Sequence, residues 1–319
     1  MAQSGIDSLL GLGVPKDALV SLLTAAQWLD ASGGPSASSY WCCVNQPLVE
    51  RQRDEFFVAV ALAINGIHLI SQHEPNSEWR LRFDVAYLYL AKPMAQAVQS
   101  INCLCSYRCY ADSLTVVRAL HSRTQLLVLF SLEPHLFDEW LDNPELPKYR
   151  DVRIRKELSN HGLDVFPHFY HWFSDLVHSR PDGLGETGLF ASGLYPSLPA
   201  VENTVFVAAK LLIAVIGWTA LSAVVVDCEG VGVSIPDDVM QISSLYEYLS
   251  TGFFHPARFD HLMTTLPQDR HWPKLDQHRS AHVKWFGYEN YQQRLRDFRI
   301  KQSQRQLGRD YLQTDIGFD

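Results

Sequence analysis

Positive charge is scarce in this 319-residue sequence, which carries 27 Lys and Arg against 35 Asp and Glu and a net charge of −8 at pH 7. A protein whose whole surface binds nucleic acid needs the opposite balance, so only a local basic patch remains open for that role. Cysteine is also scarce, with six residues in a chain too long to need covalent cross-links. We expect reduced thiols and a cytoplasmic location.

Targeting segments and common catalytic motifs are missing as well. The N-terminus has no basic stretch ahead of an apolar one, so it predicts neither a secretory signal nor a transit peptide. There is no G-x-S-x-G, no HExxH and no dinucleotide fingerprint. The sequence GLGETG at 183–188 lacks the Gly-Lys-Ser/Thr ending of a phosphate loop. The sequence therefore indicates no cofactor.

The alternation of apolar and polar residues that is typical of strands is absent too. The longest apolar run is 204–226, TVFVAAKLLIAVIGWTALSAVVV, and Lys210 is its only charge. A helix without a polar side must be covered by protein or by lipid. Lys210, deep in the run, and Trp218, away from either end, favour burial in protein. We therefore predict a central core helix and do not expect membrane attachment; a single membrane span is the alternative.

The sequence predicts an all-α protein, a multi-helix bundle around the helix at 204–226 with a long C-terminal helix. Residues 1–37 would form an N-terminal helix and linker, residues 38–272 the core of the bundle, and residues 273–319 the basic amphipathic C-terminal helix. The glycine- and proline-rich stretch 181–200 is predicted to be a surface loop.

Local signals predict several helix ends inside the bundle. Pro47 is suited to the first turn of one helix, and residues 73–77 form a turn and an N-cap for the next. We expect a kink at Pro93 and a further N-cap at Asp112 or Ser113.

One predicted helix carries a stripe of imidazoles and carboxylates at spacings of four, three, four and three residues, from Asp164 to His178. These residue types at these spacings form metal sites on helices. A solvated or hydrogen-bonded polar face has the same pattern, and no second helix offers a clear Glu-x-x-His. The candidate metal ligands are Asp164, His168, His171 and Asp175.

The segment Arg155-Lys-Glu-Leu-Ser-Asn-His161 ends another predicted helix. It resembles the active-site motif of HEPN-type helical ribonucleases, an Arg followed four to six residues later by a His. The resemblance implies paired subunits that bring two motifs together, with His161 as general acid or base and Arg155 steadying the phosphate. The alternative is an exposed basic helix face whose terminal histidine is favoured by the helix dipole.

A wider span, 112–181, contains VVRALHSRTQLLVLFSLEP and then YHWFSDLVHSRPDG. It resembles the helical bacterial family known as domain of unknown function 5677, through an Arg near the start of such a helix and a Tyr/Ser/His pattern after it. Where that family has a Glu shortly after the Arg, this sequence has His121 and Ser122. The resemblance implies an all-α bundle without an established activity. The candidate ligand contacts that it marks are Arg118, His121, Tyr170, Ser174 and His178.

The C-terminal segment reverses the overall charge. Between Arg279 and Arg309 lie eight Lys or Arg against two acidic residues. An apolar stripe predicts docking on the bundle or on a partner chain, with the basic side solvated. That stripe comprises Trp285, Tyr288, Gln292, Leu295 and Phe298. We predict that Arg294, Arg296 and Arg299 on the basic side contact RNA or a protein partner.

Taken together, these patterns favour a helical interaction or scaffold protein of bacterial type, homo-oligomeric and with an unidentified partner. The alternative is a HEPN-like, metal-independent ribonuclease or toxin-type effector that acts as a dimer. A third interpretation is a helical protein that binds a metal through His and Asp.

Overall fold

The computed structural model describes residues 47–107, 109–165, 198–240, 242–243 and 291–314. This part of the chain is helical and has no strands, which confirms the all-α prediction. The predicted N-terminal helix and linker lie outside the described residues. The helices are α1 (Pro47–Gln72), α2 (Glu78–Ser106), α3 (Tyr110–Leu132), α4 (His135–Asp142), a 3₁₀ turn (Pro147–Tyr149), α5 (Asp151–Asn160), α6 (Leu198–Gly230) and α7 (Tyr291–Thr314).

Helix α6 is the centre of the bundle, as its uniform apolarity predicts. It packs most extensively against α1 and also contacts α3, α7 and α2. Every residue from Ala208 to Cys228 is buried, including Lys210. By length and composition α6 could cross a membrane, but its most apolar stretch is entirely covered by protein. The helix also extends beyond 204–226, so residues 198–200 belong to α6 and not to the predicted loop.

Helices α1 and α6 meet at small residues. A side-chain carbon at Gly66 would lie 3.0 Å from the Cα of Gly217, from the Cβ of Ala220 and from the hydroxyl oxygen of Tyr87. Contacts that short force neighbouring atoms to move. Gly66 therefore sets how closely α1 approaches α6.

The predicted helix ends are partly right. Ser77 is the N-cap of α2, and its hydroxyl accepts a hydrogen bond from the backbone N–H of Arg80 at 3.2 Å. Helix α2 continues through Pro93 as one element. The predicted cap at Asp112 or Ser113 is wrong, because α3 begins at Tyr110 and takes Cys109 as its N-cap.

Helix α7 docks on the bundle through Leu295 and Phe298 of the predicted apolar stripe and through Tyr291, which was not part of it. Tyr291 and Leu295 are fully buried, and Phe298 is half-buried against the core. The hydroxyl of Tyr291 hydrogen-bonds the hydroxyl of Ser131 near the end of α3. The residues of this stripe before Tyr291 lie outside the described residues.

Candidate functional site

A polar cluster joins α3 to the first turn of α5. The guanidinium of Arg118 donates to Asp151 Oδ2 and to Ser122 Oγ, and Ser122 Oγ lies 3.4 Å from Asp151 Oδ2. The Arg118 side chain is only 11% exposed, so water screens this ion pair weakly. Asp151 also suits the positive end of the α5 dipole. The cluster therefore holds α5 against α3.

His121 lies one turn after Arg118 and is completely buried. Its Nε2–H donates to the Val165 carbonyl at 2.6 Å, and its Nδ1 accepts from Gln125 Nε2 at 2.9 Å. The pKa of His121 is lowered to about 4, chiefly by burial and also by the charges of Arg118 and Arg155, although the hydrogen bond to Val165 opposes the shift. The imidazole is thus neutral at pH 7 and fixes residues 163–165 to α3.

The two residues of the HEPN-like motif have different neighbours. Arg155 is half-buried, and its charge acts on His121 of α3. His161 is the C-cap of α5; its Nε2 lies 3.2 Å from Glu157 Oε1, and its ring packs edge-on against Phe298 of α7, with centroids 4.8 Å apart. Arg155 thus lies close enough to α3 for its charge to act on His121, whereas His161 packs against α7. The paired-subunit ribonuclease stays a prediction.

The three candidate arginines of α7 contact the bundle, whereas the charge pattern predicts a solvated basic face. Arg294 lies against Gly162, which has a left-handed φ of +67°. Arg296 makes a bidentate contact with Glu229 at the end of α6, at 2.7 and 2.9 Å. Contact of these arginines with RNA or a protein partner stays a prediction. Within the chain, Arg294 and Arg296 already hold α7 against the rest of the bundle.

Arg299 is the most deeply placed of the three. Its Nη2 donates to the Ser131 carbonyl at 3.0 Å and to the Leu132 carbonyl, both in the last turn of α3, and its guanidinium lies 4.0 Å from the centroid of the Trp79 ring. Burial lowers the pKa of Arg299 to about 9, against the nearby Glu133, which raises it. Arg299 therefore caps α3 and joins it to α2 and α7.

Most of the predicted metal stripe lies outside the described residues. Asp164 is half-buried just after α5. The positions that lie outside the described residues are His168, Tyr170, His171, Ser174, Asp175 and His178. Within the described part of the chain, no group of three His, Cys, Asp or Glu side chains could hold a metal ion.

Sequence reasoning missed a buried polar network at the start of α2. Arg80 is 1% exposed and donates through Nε to Asp84 Oδ1 at 2.5 Å. Asp227 of α6 accepts from the Asn76 backbone N–H at 2.8 Å and from the Ser77 hydroxyl at 2.5 Å. Burial raises the pKa of Asp84 to about 6, although Arg80 opposes the shift. The four-residue spacing of Arg80 and Asp84 was the available signal, but spacing does not reveal burial.

Sequence reasoning also missed the outer α2 face, which we define as Leu81, Val85, Leu88 and Tyr89. These four apolar side chains are 54%, 56%, 44% and 54% exposed. Their spacing of four, three and one residues places them on one stripe of the helix. Apolar and charged residues occur on every side of α2, and Arg80 and Asp84 lie on its buried side, so the sequence pattern gave no indication that one side is open.

Neighbouring side chains hold the outer α2 face in place. Tyr89 packs edge-on against Phe137 and Trp140 of α4, with centroids 5.4 and 6.2 Å apart. Leu141, next to Trp140, is itself 44% exposed. The opposite side of α2 is buried in the core through Phe83, Ala86, Tyr87, Leu90 and Met94. Because that side is already packed, α2 cannot turn to bury its outer face.

Charged residues flank the outer α2 face at both ends. Glu78 lies before the N-terminal end and forms an ion pair at 2.8 Å with Arg82, which follows Leu81, and Lys92 lies exposed at the C-terminal end. An apolar centre between charged ends is typical of a surface that docks another helix.

Comparison of the chain with known protein families, with curated proteins and with solved structures gives no match. The resemblance to domain of unknown function 5677 and to HEPN-type proteins stays a prediction.

Proposed function

We propose that the protein is a cytoplasmic helical interaction protein, a scaffold whose outer α2 face binds an apolar helix presented by a protein partner. The observation that carries the proposal is the stripe of four large, exposed apolar side chains on a helix whose other side is fixed in the core. Single exposed apolar residues are normal on protein surfaces, but a contiguous group marks an interaction site.

The polar residues support the same proposal. His121 is neutral and hydrogen-bonded through both nitrogens, and Arg118 is engaged with Asp151 and Ser122. Arg299 caps α3. These side chains hold helices together, as a rigid scaffold requires. The exposed apolar surface is then the part of the protein that binds a partner.

A photo-crosslinking comparison tests the surface. The photoreactive residue p-benzoylphenylalanine replaces Val85 in one variant and Val152 of α5 in the other, two valines that are 56% and 59% exposed. We expect ultraviolet light to produce intermolecular protein adducts from position 85 and none from position 152. Adducts at neither position, or equally at both, would contradict the proposal.

A second variant checks that the outer α2 face is responsible. Leu88→Lys places a charge in the centre of the face without disturbing the core, because Leu88 is 44% exposed. We expect it to abolish the adducts from position 85 and to leave the melting temperature within about 2 °C of the parent protein.

The ribonuclease alternative has a direct test. In bacteria that express the wild-type chain or His161→Ala, a scaffold protein leaves total RNA intact in both cultures. Fragmentation of RNA that disappears in His161→Ala would overturn the proposed function and would establish catalysis by the Arg155–His161 motif.

A further inference from the structure

The exposed positions of α2 pair with each other when a second α2 lies antiparallel across Val85. In that arrangement each residue before Val85 faces the residue that lies equally far after Val85 in the second copy. Every position of α2 from Glu78 to Lys92 that is exposed then faces another exposed position. These positions are 78, 81, 82, 85, 88, 89 and 92. The surface of one helix thus meets its own copy without involving a buried residue.

The chemistry of the facing positions is complementary. Val85 meets Val85 of the second copy, and Leu81 meets Tyr89, so the centre of the contact is apolar. Glu78 faces Lys92, and the two-fold symmetry creates this pair twice. Arg82 faces Leu88; its stem can cover the leucine while its guanidinium stays with Glu78 and Asp138 of its own chain, 2.8 and 3.6 Å away.

We propose that the helix bound by the outer α2 face is α2 of a second copy of this chain, antiparallel and with the two-fold axis at Val85. The inference rests on the proposed function and names its partner. A parallel pair would instead bring Glu78 against Glu78 and Lys92 against Lys92, and both contacts are repulsive. The charges at the two ends of the stripe therefore select the antiparallel arrangement.

The size of the surface sets the strength of the dimer. From Glu78 to Lys92 the stripe is about 21 Å long and roughly 10 Å wide. A contact of this size falls short of the roughly 800 Å² per partner of a standard interface. Because the footprint is only about a quarter of that area, we expect a weak, reversible dimer that forms at high micromolar to millimolar concentrations.

Charge reversal tests the arrangement by sedimentation equilibrium. Glu78→Lys alone and Lys92→Glu alone each turn two attractive contacts into two repulsive ones, and we expect each to weaken dimerisation about tenfold. The double variant Glu78→Lys/Lys92→Glu restores both contacts and should dimerise within about twofold of the wild type. A mixture of the two single variants should also regain dimerisation, because in the mixed dimer both facing pairs again join a lysine to a glutamate.

The control charge reversal is Lys301→Glu on α7, which alters an exposed lysine away from α2 and should leave the dimer unchanged. The antiparallel arrangement is overturned if the single variants dimerise as well as the wild type, or if the double variant stays as weak as the singles.

The crosslink from position 85 separates this inference from the proposed function. An adduct of twice the mass of the chain, with the crosslink mapped to α2 of the second copy, supports both. An adduct with a different protein overturns the second copy as partner and leaves the interaction surface standing. A crosslink within one chain, or none at all, overturns both.

Discussion

At the scale of single residues, the buried ionisable groups make stability depend on pH in opposite directions. The pKa of His121 is lowered to about 4, so its stabilising contribution is present above pH 6.5 and is lost as the pH falls through 4. The pKa of Asp84 is raised to about 6, so its contribution is present below 3.8 and is lost as the pH rises through 6. Between pH 4 and 6 the two effects oppose each other.

His121→Gln isolates the histidine contribution. At pH 7 the variant should unfold more easily, by about 1–3 kcal/mol, because a buried hydrogen-bonded ring is lost. Lowering the pH to 5 should destabilise the wild type by about 2 kcal/mol more than the variant, since the unfolded wild type gains a proton. Urea unfolding of both proteins at the two pH values measures the difference. Asp84 is present in both proteins, so its effect cancels. If the difference in unfolding free energy between wild type and variant widens on acidification, the lowered pKa of His121 is contradicted.

Residue contacts were the least predictable level of this structure. The sequence identifies Arg118, His121 and Arg299 as polar residues of interest, but their partners come from distant parts of the chain. Val165 lies 44 residues after His121, and Arg299 reaches a carbonyl 168 residues away. Local spacing contains no information about such contacts. It therefore predicted a solvated basic face where the structure has a helix cap.

At the scale of helices, the approach of α1 to α6 depends on the absence of a side chain at Gly66. Gly66→Ala should lower the free energy of unfolding by about 1–3 kcal/mol, because the crowding of Gly217 and Ala220 outweighs the gain in helix propensity. Gly230→Ala is the matched control, since nothing lies within 4 Å of a side-chain carbon there. Chemical denaturation measures both. Equal effects at the two positions would show that α1 and α6 are not limited by Gly66.

The position of a helix in the fold was predicted well where a single physical requirement determines it. An apolar run such as 204–226 has to be buried whatever its neighbours are, so α6 could be identified from the sequence as the core helix. Helix α2 is different, because apolar and charged residues occur all round it and yet only one side is covered. Which side stays open depends on where α4 and α6 pack, and the residues of α2 do not specify that.

At the scale of the whole molecule, the burial of α6 predicts whether the protein separates with the supernatant or with the membrane pellet. The apolar side chains that could have entered a lipid bilayer are already covered by α1, α2, α3 and α7. We expect the chain to remain in the supernatant when a detergent-free lysate is centrifuged at high speed. Recovery in the membrane pellet after a high-salt wash, with release only by detergent, would contradict the core assignment.

The position of α6 in the chain also has a consequence during synthesis. Helices α1 to α3 end at Leu132, but the helix that covers their apolar sides is complete only at Gly230. At translation rates of about 5–20 residues per second, the ribosome needs roughly 5–20 seconds to make the intervening 98 residues. For that time the nascent chain exposes the apolar surfaces of α1 to α3 that α6 later buries.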